Sequence, residues 1–382
     1  MQGNPAGRPQ GCPLREGQGA SGGGGDEASG PRGRGLDPWG RGCLEAWGGA
    51  HREAGARRPA QGGHGVISPF AQGFTRKEHW PLEELPELFP GRVRFQVQMK
   101  NLTTFRVGGP ADALVEPGSV QEVARLIQWC RQHGVPWLPV GRGSNLLVRD
   151  GGIRGVVLRM GSAMGDWRAE QKDDLVRVWV QAGCAVSRLL REAVRRGWDG
   201  LCFLAGIPGH LGGAVAMNAG TSQGAMEGIV EALQWVDPLG GLVTCQRRDL
   251  LFGYRSLQFP EGSVIEEVTL RLRPGHSTEV REALRAQMLR RRAAQPLGAP
   301  SAGSIFRNPP GDFAGRFIER AGLKGLTWGG AMVSERHANF ILNRGWAKAS
   351  DVLGLMEHIQ MRVAQHSGVH LEPEVRVVGE DG

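Results

Sequence analysis

Val135-Pro136-Trp137-Leu138-Pro139-Val140-Gly141-Arg142-Gly143-Ser144-Asn145-Leu146-Leu147-Val148 joins two extended apolar runs through a glycine-bent turn, and its surroundings decide the fold. Upstream, Ala113-Leu114-Val115 reads as a strand. Ser119-Val120-Gln121-Glu122 is a capping box opening a helix whose apolar face is Val123, Leu126, Ile127 and Cys130, and Gly134 stops that helix. Downstream, Gly155-Val156-Val157-Leu158 is another strand. The unit is strand, helix, strand, loop, strand. Because the turn is not a GxGxxG opening a long helix, a plain nicotinamide Rossmann domain is disfavoured.

A second unit begins at Val176-Arg177-Val178-Trp179-Val180 and continues through a helix around Val186 to Val194 into the glycine-rich Ala205-Gly206-Ile207-Pro208-Gly209-His210-Leu211-Gly212-Gly213-Ala214-Val215. Strands near Val264 to Leu272 and a basic helix at Glu279 to Arg292 follow. The last helix carries Val352, Leu355, Met356, Ile359 and Val363 on one face, with Ser350 and Gly368 expected as its caps. Short strands alternating with amphipathic helices predict an α+β enzyme. Order is expected from near Lys100, with one subdomain over 100–160, a second over 161–274 and a C-terminal domain over 275–382. Residues 1–70 are rich in glycine and arginine and poor in apolar groups, which predicts a disordered extension, with translation starting downstream. The segment has neither the apolar core of a secretory signal nor the composition of a transit peptide.

The 382-residue chain is long enough for two or three domains, and its 40% hydrophobic content suits a soluble globular protein. It contains no apolar run of the ~20 residues that a membrane helix requires. A formal charge of +8 and a pI near 9.7 raise the question of nucleic acid. The positive residues are scattered without interleaved aromatics, so the balance points to small phosphorylated or carboxylated ligands, handled mainly by arginine. Lysine occurs only at Lys77, Lys100, Lys172, Lys324 and Lys348. Cys12, Cys43, Cys130, Cys184, Cys202 and Cys245 form no CxxC pair, and no histidine cluster has metal-ligand spacing, so reduced thiols and no metal are expected.

Three further stretches carry chemistry. Ser301-Ala302-Gly303-Ser304-Ile305-Phe306-Arg307-Asn308-Pro309 presents a hydroxyl in a glycine-bent turn, as a proton donor would be presented. Phe252-Gly253-Tyr254-Arg255-Ser256 offers a guanidinium beside the chain's single tyrosine, and Leu371-Glu372-Pro373-Glu374-Val375 offers a carboxylate. Spacing does not show that they converge, and each alone suits an ordinary turn or surface. Gly141, Arg142, Gly143, Ser144 and Asn145 can aim backbone and side-chain donors at a diphosphate. The run Gly206 to Gly220, with Asn218, lets a flat ligand lie against the main chain, or equally marks a tight crossing of loops.

Taken together, these motifs resemble the family of UDP-N-acetylenolpyruvoylglucosamine reductases, flavoenzymes that make UDP-N-acetylmuramate for bacterial cell walls. The resemblance runs from about Asn101 to Gly379 and includes Asn101-Leu102-Thr103-Thr104-Phe105-Arg106-Val107-Gly108-Gly109 and Asn218-Ala219-Gly220. It implies noncovalent FAD held by two subdomains of the vanillyl-alcohol oxidase (PCMH) type, with a C-terminal α+β domain closing over the uridine nucleotide. The short interval between Arg255 and Ser304 resembles the type II form. By this resemblance NADPH reduces FAD and leaves, and the enolpyruvyl substrate then takes its place. Arg255 and Glu374 polarise the substrate, Ser304 gives the proton, and Tyr254 and Asn308 touch substrate. Arg106, Gly141 to Asn145, Gly206 to Gly209, Gly212, Gly213 and Asn218 would hold FAD. A cytoplasmic monomer acting on the UDP-sugar and NADPH, without nucleic acid or membrane, is the expectation. Arg307 stands where the family usually has lysine, His210 replaces a small residue, and Thr221-Ser222-Gln223-Gly224 replaces the usual Ala-Tyr-Gly. The rivals are an oxygen-using oxidase of the same fold and a catalytically idle nucleotide-sugar-binding protein.

Overall fold

The computed structural model describes residues 80–382. The extension over 1–70, its start site, and Cys12 and Cys43 lie outside the described residues. After the one-turn helix α1 (Leu85–Leu88), the first unit comprises β1 (Val93–Gln98), β2 (Pro110–Val115), α2 (Val120–His133), β3 (Trp137–Val140), β4 (Leu146–Val148) and β5 (Ile153–Arg159). Four of these strands form a sheet in the order β1-β2-β5-β3, with β1 antiparallel to β2 and the other pairs parallel. Ser119 Oγ accepts the Glu122 amide at 3.2 Å, and Gly134 closes α2 in the left-handed conformation at φ 65°. Alternation along β2 and β5 sends Ala113, Val115, Val156 and Leu158 into one core and Ala111, Leu114, Ile153 and Val157 into another, so this sheet is buried on both faces.

The second unit runs β6 (Trp167–Lys172), β7 (Leu175–Gln181), α3 (Val186–Arg196), β8 (Trp198–Asp199), α4 (Leu211–Ala216), the hairpin β9 (Gly220–Thr221) and β10 (Gly224–Ala225), then β11 (Val230–Val236) and β12 (Leu242–Gln246). A second hairpin, β13 (Leu251–Gly253) and β14 (Ser256–Gln258), precedes β15 (Val264–Pro274). The main sheet is antiparallel in the order β12-β11-β15-β7-β6, with β8 on the end of β15. Helix α5 (Ser277–Ala294) packs against α3 and the turn Cys202–Leu204. Its partners thus belong to the second unit, and we draw the start of the C-terminal region after Ala294 instead of near residue 275.

The C-terminal region contains α6 (Ala314–Arg320), the antiparallel sheet β16 (Thr327–Trp328), β17 (Ala331–Val333) and β18 (Ile341–Asn343), then α7 (Ala349–Ser367) and β19 (Arg376–Val378). Its core does not close on itself. Phe105, Val107 and Leu147 of the first unit pack with Ile305, Phe306, Val352 and Ile359, and β19 pairs in parallel with β4. Two sequence expectations are corrected here. Order starts before Lys100, since β1 at Val93–Gln98 is an edge strand whose mostly exposed residues carry little apolar periodicity. Ser350 is not the cap of α7: the helix begins at Ala349, and the Asp150 carboxylate accepts the Ala349 and Ser350 amides at 2.7 and 2.9 Å. Among the described residues no helix is long and apolar enough to cross a membrane, and no group of three or more His, Cys, Asp or Glu side chains is arranged to hold a metal ion.

Candidate active site

The loop between β3 and β4 and the run ahead of α4 face each other across a cleft of about 430 Å³. Gly143 has φ +63°, and a Cβ there would lie 2.6 Å from the Leu102 carbonyl oxygen, so only glycine lets the loop turn against its neighbour. Gly141, Arg142, Ser144 and Asn145 line the same wall, and Ile207, Pro208, Gly209 and Gly213 line the opposite one. A Cβ on Gly213 would meet no atom within 4 Å, which leaves open space directly in front of bare backbone. This arrangement fits FAD: one wall supplies donors for a diphosphate and the other a side-chain-free surface for a flat ring.

The other residues expected at the cofactor are distributed differently. Gly206 and Arg106 line an adjoining groove of about 1140 Å³. Gly212 sits behind the wall, where a Cβ would approach the Ala182 Cβ to 2.7 Å, so its bareness serves packing. Asn218 is buried, donating to the Gly253 carbonyl at 3.0 Å and accepting the Glu227 amide at 3.0 Å. It ties the second hairpin to the glycine-rich run without lining either cleft. His210 lines both, its Nδ1 2.8 Å from the Met160 carbonyl. A carbonyl only accepts, so Nδ1 carries the hydrogen. Burial holds this imidazole below the usual histidine range.

Arg255, Ser304 and Glu374 converge at the end of the first cleft. Arg255 occupies the second position of the two-residue turn between β13 and β14, with the left-handed φ of 55° that is unusual for a side-chain-bearing residue. Its Nη1 donates to the Gly220 carbonyl at 3.0 Å and its Nε to Glu374 Oε1 at 2.9 Å. Ser304 and Phe306 bridge to Phe340 and Pro373 respectively, and the Glu374 amide donates to the Ile305 carbonyl at 2.7 Å. These backbone ties set Glu374 beside the serine turn. Asn145 Nδ2 donates to the Glu374 carbonyl at 3.1 Å, joining the diphosphate loop to the same strand. Ser304 Oγ makes no hydrogen bond within the described residues and borders the cleft, as a hydroxyl reserved for a ligand would. Burial pushes the Glu374 carboxyl above the usual carboxylate range, against the pull of the Arg255 and Arg307 guanidiniums.

Tyr254 and Asn308 do not join this cluster. Tyr254 is exposed, with the Arg255 guanidinium 5.3 Å from its ring centroid, and lines none of these clefts. Asn308 Oδ1 accepts the Ala314 amide at 3.1 Å, which fixes the start of α6. Its side chain borders a third cleft of about 380 Å³ that shares Ser304 with the first. Arg291, Gln295, Phe340 and Arg376 also line the central cleft, and sequence reading missed them. For Arg291 a signal exists: it follows buried Val280 and Gln287 by eleven and four residues, on one stripe of α5.

Comparison with known proteins agrees with this geometry. A family model described as "FAD binding domain" matches residues 111–246, and one described as "UDP-N-acetylenolpyruvoylglucosamine reductase, C-terminal domain" matches residues 295–378. The UDP-N-acetylenolpyruvoylglucosamine reductase of Heliobacterium modesticaldum is 46% identical over 296 residues, covering 77% of this chain and 93% of that protein. That of Desulfosudis oleivorans is 45% identical over 321 residues, covering 81% and 99%. The crystal structure of the Thermus caldophilus reductase superposes with a TM-score of 0.66 at 37% identity, covering 75% of this chain and all of that one. The two-walled cradle is therefore an FAD-binding domain, and the chain belongs to the UDP-N-acetylenolpyruvoylglucosamine reductase family of flavoprotein oxidoreductases.

Proposed function

We propose that the protein is the NADPH-dependent reductase that converts UDP-N-acetylenolpyruvoylglucosamine to UDP-N-acetylmuramate, with Ser304 as proton donor. The observation that carries this reading is the meeting of Arg255, Ser304 and Glu374 at one end of the cofactor cleft. Bound FAD supplies the hydride chemistry that no side chain offers. Hydride addition to the terminal vinyl carbon leaves negative charge on the adjacent carbon and its carboxylate, and an enol ether resists this step unless that charge is stabilised. Arg255 supplies a fixed positive charge there. Glu374, whose burial favours the neutral acid, supplies a hydrogen-bond donor to the developing enolate oxygen. Ser304 Oγ, unengaged within the protein, gives its proton to the carbon bearing the carboxylate, which completes the lactyl ether. The negative carboxylate substrate and the diphosphates suit the basic chain. We place the reaction in the cytoplasm, carried out by a monomer.

The test is an anaerobic visible spectrum of the purified holoprotein. NADPH is expected to bleach the flavin, and the enolpyruvyl UDP-sugar to restore its colour. Bleaching without restoration would remove the substrate assignment and favour an oxidase; a folded protein that cannot be loaded with FAD would remove the whole reading.

A further inference from the structure

Arg291 stands where the central cleft meets the larger groove and lines both. Its stem lies against Gly206, where a Cβ would come within 3.4 Å of the Arg291 Cδ and 3.3 Å of the Met288 sulfur. The only hydrogen bond of its guanidinium within the described residues runs from Nη2 to Gln295 Oε1 at 2.9 Å, and the buried Nε has no partner. Burial and the nearby Arg255 charge push its pKa down from the ordinary arginine value. A half-buried cation with one neutral acceptor is costly unless a ligand brings another acceptor.

The groove beyond it indicates which ligand. Arg106, Arg142, Arg159, Arg291, Arg292 and Arg336 line its walls, and no carboxylate does. Among the described residues only Arg159 of these is paired with an acid, Glu116 at 3.0 Å. Arg336 reaches across from the C-terminal region to the Arg292 carbonyl at 2.8 Å. The cleft on the other side of Ser304 is a third the size and includes Glu319. Two nucleotides must each bring a reactive end to the central cleft. The larger, wholly cationic groove suits the one with more phosphates, a dinucleotide carrying a diphosphate and an additional ribose phosphate.

We infer that Arg291 binds the diphosphate of the nicotinamide dinucleotide, with the arginine-lined groove receiving the remainder of that molecule. The inference rests on the NADPH-dependent reading above. Arg291 acts in binding and touches no reacting atom, so its loss weakens capture of the reductant and spares the chemical step.

The test uses the FAD-loaded protein and its Arg291→Gln and Arg291→Lys variants in anaerobic stopped-flow. In Arg291→Gln the NADPH concentration giving half-maximal bleaching rate is expected to rise about tenfold or more, with the limiting rate held within about threefold. Arg291→Lys should recover part of that loss, and the half-saturating concentration of the enolpyruvyl UDP-sugar should stay within about twofold of wild type. Higher ionic strength should weaken NADPH capture less in Arg291→Gln than in wild type. An equal or larger shift for the UDP-sugar, unchanged NADPH capture, or loss of flavin from both variants would each overturn the assignment. Wild-type protein that NADPH does not bleach would instead defeat the underlying reading, and the inference with it.

Discussion

The cofactor cradle and the reactive cluster are built on opposite plans. The cradle is made of backbone from two short stretches, Gly141 to Asn145 and Gly206 to Gly213, and depends on what is missing: a Cβ at Gly143 or Gly212 has no room. The cluster is made of side chains from three segments far apart in the chain, Arg255, Ser304 and Glu374, held in place by a hairpin turn and isolated bridges. A site made of absences is sensitive to added atoms, and one made of functional groups to removed ones. Substitutions that separate cofactor binding from reduction of the substrate sharpen or break this contrast.

The largest effect is expected at Ser304. Ser304→Ala should slow substrate-dependent return of flavin colour by ~10²–10⁴-fold, the usual contribution of a positioned acid. Bleaching by NADPH should stay within a fewfold, because no proton passes from Ser304 in that half-reaction. Equal losses in the two half-reactions, measured by rapid-mixing absorbance, would remove the serine from the proton path.

Glu374 comes next. Since burial raises its carboxyl pKa, the proton stays on in the folded protein to a pH above the usual carboxylate range. Its contribution to stability is therefore fully present below the ordinary carboxylate pKa and lost as pH rises through the raised value. The same rise removes the donor used in the reaction, so wild-type substrate reduction should decline across that window. Glu374→Gln keeps a neutral donor, should lose only about tenfold in rate, and should flatten that part of the pH profile. An unchanged profile in the variant would mean that Glu374 works as the anion partner of Arg255.

The same contrast explains what was legible in the sequence. Helix α2 declares itself because every determinant is local: Ser119 and Glu122 at one end, Gly134 at the other, and an apolar stripe between. The glycine turns are visible for the same reason. Helix α7 hides its start because the carboxylate that caps it, Asp150, lies about two hundred residues upstream and is brought there by the pairing of β4 with β19. Arg255, Ser304 and Glu374 were readable as a set only through family resemblance, since nothing in their spacing fixes the three-dimensional meeting. Asn308 looked like a ligand contact, yet its side chain starts α6. Arg291 reads as one more surface arginine in a basic helix, and its environment exists only once α5 lies on Gly206.

The smallest effect tests the cradle itself, by placing one methyl group on either of two adjacent glycines of α4. At Gly212 the new Cβ meets the Ala182 Cβ at 2.7 Å, so Gly212→Ala should destabilise the flavin-free protein by about 1–3 kcal/mol, an overpacking cost. At Gly213 no atom lies within 4 Å and the backbone is helical, so Gly213→Ala should stabilise the flavin-free protein by up to about 1 kcal/mol through the lower entropy of its unfolded chain. Affinity for FAD should move the other way at Gly213, because the methyl group projects into the space where the ring would lie. Thermal melts of stripped protein together with FAD titrations separate the two substitutions. If Gly213→Ala binds FAD as wild type does, the ring does not lie against that stretch of backbone, and the bare surface there belongs to helix packing as it does at Gly212.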